Sequence, residues 1–166
     1  MTARVFAYEY ITGGGMLGEP LPESLAREGD LMLHALLDDL ARVPGMALVT
    51  SRDPRLSPLE ARAAVLKPDP GEDAARLFRR GLSQADLCWP IAPETGGVLE
   101  RLSRTVLDAQ RVLIGSRPEA VRIAASKRST SPVLEQAGVA AVPTYETGQA
   151  LPDLAGAWVL KPDDGA

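Results

Sequence analysis

The sequence predicts an α/β fold, an open parallel sheet with helices on both faces, and three features of its 166 residues point that way. Short apolar runs alternate with helical stripes along the chain, as they do where parallel strands are joined by covering helices. The run 85–91, Ala-Asp-Leu-Cys-Trp-Pro-Ile, is the most apolar of the short ones and is expected at the centre of the sheet. Hydrophobic residues make up 45% of the chain but aromatics only 4%, so the core must be built from Leu, Val and Ala. The length suffices for one domain and the beginning of another.

The elements follow in order. Residues 4–10 read as the first strand and lead into a glycine-rich loop over 12–18. Over 24–43, Leu25, Gly29, Met32, Leu33, Leu36, Leu37 and Leu40 recur at spacings of three and four, which predicts a helix with one face on the sheet. Residues 46–50 form a second strand, ended by the turn-rich Ser51-Arg52-Asp53-Pro54. A short third strand over 63–66 stops at Lys67-Pro68-Asp69-Pro70, and Ala75, Leu77, Phe78 and Leu82 mark a helix over 72–82. Beyond the run 85–91, Val98, Leu99, Leu102, Val106 and Leu107 share one face of a helix over 95–110, and 111–114 is the next strand, closed by Gly115.

Ser116-Arg117-Pro118-Glu119 then matches a capping box, in which hydroxyl and carboxylate satisfy the unpaired amides of a helix start. The helix it opens carries Val121, Ile123 and Ala124. The character of the chain changes at the polar stretch Ser126-Lys127-Arg128-Ser129-Thr130-Ser131-Pro132, which leads a further helix to about Ala137, stopped by Gly138. Residues 139–142 and 158–161 are expected as strands of this new unit, joined by a loose connection over 148–156. The organisation expected is one α/β domain over 1–125 and the start of a second over 126–166.

Bulk charge narrows the partners. The net charge is −4, and no basic cluster is interleaved with aromatics, which argues against nucleic acid or an anionic membrane and in favour of small molecules. Residues 1–8 run directly into a strand without a leader pattern, and no apolar run approaches about 18 residues, so a cytoplasmic protein is expected. The single cysteine, Cys88, lies within Leu87-Cys88-Trp89 and reads as a core side chain; the single histidine, His34, has no partners spaced for a metal site and reads as structural or solvent-facing.

Lysine usage singles out candidates. Of eighteen basic residues only Lys67, Lys127 and Lys161 are lysine, so arginine fills the ordinary surface positions. A compact ammonium on a flexible stem suits a mobile phosphate oxygen. Lys161 lies in Ala157-Trp158-Val159-Leu160-Lys161-Pro162-Asp163-Asp164-Gly165-Ala166, where an apolar segment delivers the lysine to a glycine-bearing turn, the opening of a phosphate-binding hairpin. Lys67 shares its Leu-Lys-Pro-Asp tetrapeptide with no obvious chemistry and reads as an ordinary lysine. Lys127, near a helix start, opposes the helix macrodipole; either a bound anion or solvation can offset that cost.

Two loops lie where ligands of open α/β sheets gather, beyond the carboxyl ends of strands. Gly13-Gly14-Gly15-Met16-Leu17-Gly18 formally matches the dinucleotide fingerprint, but Glu19-Pro20-Leu21-Pro22 postpones the helix that the fingerprint requires. A flexible crevice-lining loop fits Gly13, Gly14 and Gly15 better. In Ala92-Pro93-Glu94-Thr95-Gly96-Gly97, Glu94 is placed either to pair with a cationic substrate group or to favour a helix amino terminus capped by Thr95.

Ser126-Lys127, a helix to Ala137-Gly138-Val139, then Val142-Pro143-Thr144-Tyr145 and Val159-Leu160-Lys161-Pro162 with a glycine turn together resemble the amino-terminal part of an ATP-grasp enzyme. More narrowly, Tyr8-Glu9-Tyr10-Ile11-Thr12-Gly13-Gly14-Gly15 and Ile91-Ala92-Pro93-Glu94-Thr95 resemble the tyramine–glutamate ligases of methanofuran biosynthesis and their bacterial relatives in one-carbon metabolism. The resemblance implies a pre-ATP-grasp α/β domain followed by the first part of an ATP-grasp lobe. It implies a carboxylate–amine ligase that uses ATP and magnesium to form an acyl phosphate, which an amine then attacks. Lys127 and Lys161 would hold the nucleotide phosphates, Gly165 would begin the covering loop, and Gly13, Gly14, Gly15, Glu94 and Thr95 would line the substrate side. Carboxylate and amine substrates go with it, while the sequence leaves open whether identical chains form a homo-oligomer.

The sequence stops at Ala166, ahead of the adenine pocket and the metal-binding acids that such enzymes carry later. Two lysine contacts worth roughly 3 to 6 kcal/mol together stand against an association cost of about 4 to 15 kcal/mol, so these residues by themselves are expected to bind ATP no better than millimolar and to be catalytically silent. Two rivals remain: a non-catalytic α/β binding or regulatory module, and a dinucleotide-binding oxidoreductase resting on the loop Gly13 to Gly18.

Overall fold

A computed structural model describes residues 2–149, 151–152 and 156–165. Five parallel strands, β1 (Ala3–Glu9), β2 (Met46–Ser51), β3 (Ala64–Leu66), β4 (Leu87–Ile91) and β5 (Val112–Leu113), form one sheet in the order β3-β2-β1-β4-β5. Helices α1 (Glu23–Leu40), α2 (Ala74–Ser83), α3 (Val98–Asp108), α4 (Pro118–Ala125) and α5 (Lys127–Gln136), with one 3-10 turn over Thr95–Gly97, complete the described elements.

Side chains alternate across a strand, and β1 uses both faces. Val5 and Ala7 pack with Leu33, Leu37 and Leu40 of α1, while Phe6 and Tyr8 pack with Phe78 and Leu82 of α2 and Val106 of α3. Helices therefore cover both faces, as expected. The centre of the sheet is β1 rather than β4: Val5 to Tyr8 are at most 1% exposed, whereas Leu87, Trp89 and Ile91 are only half-buried. The apolar content of β4 reflects its place beside β1 and the clefts at its carboxyl end.

Close helix–strand contact rests on Gly81 of α2, where an added Cβ would strike the ring of Phe6. The β2–β3 crossover contains no helix; Leu59 from that connection joins the α1-side cluster instead.

Several expectations need correction. The capping box does not form: α4 begins with Pro118 after an extended Arg117, no side chain caps it, and Glu119 accepts from Arg104 at 3.4 Å instead. A proline at the first helical position needs no amide partner, and its fixed φ starts the helix without the box. Residues 139–142 and 158–161 form no strand. Val142 and Leu160 are each 84% exposed, and the contacts these runs make, Trp158 edge-on against Tyr145 and the Val142 carbonyl accepting from Ser131 Oγ at 2.8 Å, are not those of a β-ladder. Part of the 148–156 connection, residues 150 and 153–155, lies outside the described residues. Helix α5 continues through Pro132, which sits inside it.

Candidate functional site

The strand order reverses direction between β1 and β4, the position where open α/β sheets leave a crevice at their carboxyl ends. Two loops meet there, the glycine-rich loop after β1 and the turn after β4. The Tyr10 amide ties them by donating to the Ile91 carbonyl at 2.8 Å.

The glycine-rich loop is packed and clamped, not flexible. Glu9, 1% exposed, accepts from the amides of Ile11 at 3.1 Å and Thr12 at 2.7 Å and from the Thr12 hydroxyl at 2.7 Å. Ser51 Oγ donates to the Gly13 carbonyl at 2.7 Å. Gly13 and Gly14 are buried and Gly15 half-buried; side chains at Gly13 and Gly15 would collide with the rings of Tyr8 and Tyr10, and Gly14 adopts φ +95° against Leu77. From outside, the Arg55 guanidinium donates to the carbonyls of Met16 at 2.8 Å and Glu19 at 2.6 Å while pairing with buried Asp53 at 2.7 Å. Burial pushes the Asp53 carboxyl up, but hydrogen bonds and charge from Arg55, with Arg52 nearby, hold it below the usual carboxylate range. Arg52, 4% exposed, forms a two-pronged pair with Asp30 of α1 and donates to the Ser57 carbonyl. Gly18 opens no helix, since α1 starts at Glu23, so the fingerprint geometry behind the dinucleotide alternative is not formed.

After β4, a 3-10 turn over Thr95–Gly97 carries Gly96 and Gly97 at φ +62° and +68° and turns the chain into α3. Thr95 caps nothing: α3 begins at Val98 with Gly97 as its cap residue. The Glu94 carboxylate makes no hydrogen bond or ion pair among the described residues and borders two clefts. One, of about 180 Å³, lies between α3 and α4 and is walled by Trp89, Leu99, Ile114 and Ala124 with Ser103 and Ser116. The other, of about 250 Å³, runs from Gly96 and Gly97 to Arg122, Ser126 and Asp164.

The second cleft ends at the amino terminus of α5. Ser126 caps the helix by accepting from the Ser129 amide at 3.0 Å. Segment 163–165 lies across the same end. Asp163 Oδ1 accepts from the Arg128 amide at 3.0 Å, Asp163 Oδ2 accepts from Ser126 Oγ at 2.8 Å, and the Asp163 carbonyl accepts from the Lys127 amide at 3.0 Å. Lys127 Nζ donates to the Gly165 carbonyl at 2.5 Å. The hydrogen bonds from the Arg128 amide and Ser126 hold the Asp163 carboxyl below its ordinary range. At the other end of the segment, Asp164 Oδ2 accepts from the Gly96 amide at 3.1 Å.

The candidates thus fall into two groups. Lys127 and Gly165 touch, a Cβ at Gly165 would lie 3.0 Å from Thr95 Oγ1, and Glu94 lines the cleft between them. Lys161 is exposed and two residues ahead of Asp163, a chain distance of at most about 7 Å. Gly13, Gly14 and Gly15 stand apart, beneath the clamp on β1, and line neither cleft. Sequence reasoning missed Glu9, Asp53, Arg55 and Asp163. The first three are ordinary polar letters beside a turn, and Asp163 gains its place only through a contact 35 residues away along the chain. Cys88 is fully buried, and burial pushes its thiol up, consistent with a core side chain.

Among the described residues, no group of three or more His, Cys, Asp or Glu is arranged to hold a metal ion, and no helix is long and apolar enough to cross a membrane. The donors at α5, two amides, a hydroxyl and an ammonium, fit an anion and not a cation.

Comparison with known proteins bears on the fold. No curated protein matches the chain. Residues 46–121, under half of the chain, match the pre ATP-grasp 3 domain. The fold is similar to that in a crystal structure of an Archaeoglobus fulgidus protein provisionally assigned to the ATP-grasp superfamily, with 21% sequence identity and a TM-score of 0.63. The likeness covers 81% of this chain and 40% of that one, so the shared part spans less than half the length of the protein it resembles. The parallel sheet with its covering helices is therefore an α/β fold shared with that protein, and residues 46–121 within it are similar to the pre ATP-grasp 3 domain.

Proposed function

We propose that the chain is the amino-terminal part of an ATP-dependent carboxylate–amine ligase, with a pre-ATP-grasp domain over 1–125 and the start of an ATP-grasp lobe over 126–166. The observation that carries this reading is the meeting of Lys127, at the amino terminus of α5, with the glycine turn that follows Lys161, beside the turn after β4. Amides and an ammonium gathered at a helix start form an electropositive corner suited to phosphate oxygens.

In this reading Lys127 and Lys161 hold the phosphates of ATP and Gly165 begins the loop over them. When bound, ATP supplies the phosphoryl group that activates a carboxylate toward an amine. The protein's part is to neutralise charge on that group and to keep it in line. Glu94, exposed and unpaired among the described residues at the junction of both clefts, is suited to a cationic amine, and Thr95 begins the adjoining turn. Gly13, Gly14 and Gly15 act from below, by fixing the backbone on which the turn after β4 rests. Magnesium belongs to the reaction class, and the described acids do not form a site for it. A tyramine–glutamate type of specificity, a cytoplasmic location and an assembly of identical chains accompany this proposal.

The test is ATP turnover by the longest native form of the protein. Lys161→Met is expected to lower turnover by about a hundredfold or more, the scale on which removing one charge-stabilising donor acts. Unchanged turnover rejects the assigned role.

A further inference from the structure

We propose that segment 163–165 is an autoinhibitory strap: it seats the chain's own carboxylate on the α5 amino terminus, so a polyphosphate reaches Lys127 only after the strap is displaced. The proposal rests on the reading of Lys127 as a phosphate-holding residue.

A helix start has four amides without partners inside the helix, and at α5 all four are taken. The Lys127 amide donates to the Asp163 carbonyl at 3.0 Å and the Arg128 amide to Asp163 Oδ1 at 3.0 Å. The Ser129 amide donates to Ser126 Oγ at 3.0 Å and the amide of the cap residue Ser126 to the Ile123 carbonyl at 3.2 Å. Lys127 Nζ is likewise engaged, on the Gly165 carbonyl. An incoming anion finds no free backbone amide at this end of the helix, and two of the three N–H groups of Lys127 face the carbonyls of Asp163 and Gly165. It must replace Asp163, and the exchange is like for like: one anionic oxygen for another on the Arg128 amide and Ser126 hydroxyl.

The strap has a second anchor, Asp164 on the Gly96 amide at 3.1 Å, so it spans the mouth of the 250 Å³ cleft and does not merely cap a helix. Residues 163–165 are exposed, and polar contacts hold them, with no buried apolar side chain among them. Such a segment opens locally at low cost. Because Lys161 is two residues upstream on the same backbone, displacement of Asp163 also frees the segment bearing Lys161 to move. If the strap is closed nine-tenths of the time or more, apparent affinity for a competing anion falls about tenfold or more, in proportion to the open fraction.

The test is a titration of the 166-residue chain with inorganic triphosphate, followed by backbone amide resonances. Three proteins are compared: the unaltered chain, Asp163→Ala, and Asp164→Asn, which removes the same charge but keeps an oxygen for the Gly96 amide. Before any ligand is added, Asp163→Ala should shift the Arg128 amide; indifference of that resonance shows that the seat is not occupied and overturns the strap. On titration, Asp163→Ala is expected to bind triphosphate about tenfold more tightly than the unaltered chain, and Asp164→Asn less than twofold more tightly. Equal gains in both variants mean that simple charge repulsion is at work, and the strap falls. If the unaltered chain and Asp163→Ala bind equally while Lys127→Met abolishes binding, the phosphate reading stands and the strap alone fails. If triphosphate moves no α5 amide in any variant, both fail.

Discussion

Lys127 adds a positive charge where the amide dipoles of α5 already point their positive end, an arrangement that costs stability unless an anion is near. The Asp163 carboxylate, on the Arg128 amide and Ser126 hydroxyl, is that anion. Ser126 does double service, capping the helix and anchoring Asp163. Ser126→Ala is expected to destabilise α5 by about 1 kcal/mol, the usual worth of an amino-terminal cap, and amide hydrogen exchange along 127–136 should accelerate accordingly. A different residue-scale constraint governs Gly81, which lets α2 approach the Phe6 ring. Gly81→Ala should lower unfolding stability by about 1–3 kcal/mol through overpacking, although alanine is the better helix former. Chemical denaturation would show it as a lower midpoint with an unchanged slope.

At the scale of elements, the glycine-rich loop depends on a clamp of charges contributed by the connection after β2. Arg52 is buried and paired with Asp30, so Asp30→Ala leaves a guanidinium without its carboxylate. The expected loss is about 3 kcal/mol, measurable by urea unfolding. Asp53 gives the clamp a pH dependence. Its folded carboxyl titrates below the unfolded value, so its contribution is present above about pH 4 and is lost as pH falls through the lower folded value. Asp53→Asn should therefore flatten the decline in stability between pH 4 and lower pH relative to the unaltered chain. Stripes such as Leu33, Leu37 and Leu40 made α1 legible from sequence because periodic burial leaves a periodic pattern. The strands of the sheet were legible as short apolar runs, because β1 and β2 are buried on both faces over most of their length. Residues 139–142 and 158–161 were not, because an apolar run reports a strand only where something covers it, and Val142 and Leu160 stand exposed. Ser116 and Glu119 have the letters of a capping box, but Pro118 between them had already supplied a helix start. Of the site, the turn after β4 and Lys127 could be picked out in advance. The clamp and the Asp163 contact could not, because both are made between residues distant in sequence or buried by tertiary packing.

For the molecule as a whole, the two core clusters belong to β1–β5, their flanking helices and the β2–β3 connection, whereas α5 and the described residues after it add little buried apolar surface. A chain ending after residue 125 should accordingly retain cooperative thermal unfolding, with a midpoint within about 5 °C of the 166-residue chain, since a shift of that size corresponds to roughly 1–2 kcal/mol in a domain of this size. Loss of cooperativity would show that the proposed boundary cuts through one folding unit. The rims of the sheet have a separate consequence. Its outermost strands, β3 and β5, are three and two residues long and present few unsatisfied amides and carbonyls to a neighbour. Copies of this chain that associate are thus expected to meet through helical surfaces, and not by extending one continuous β-ladder from molecule to molecule.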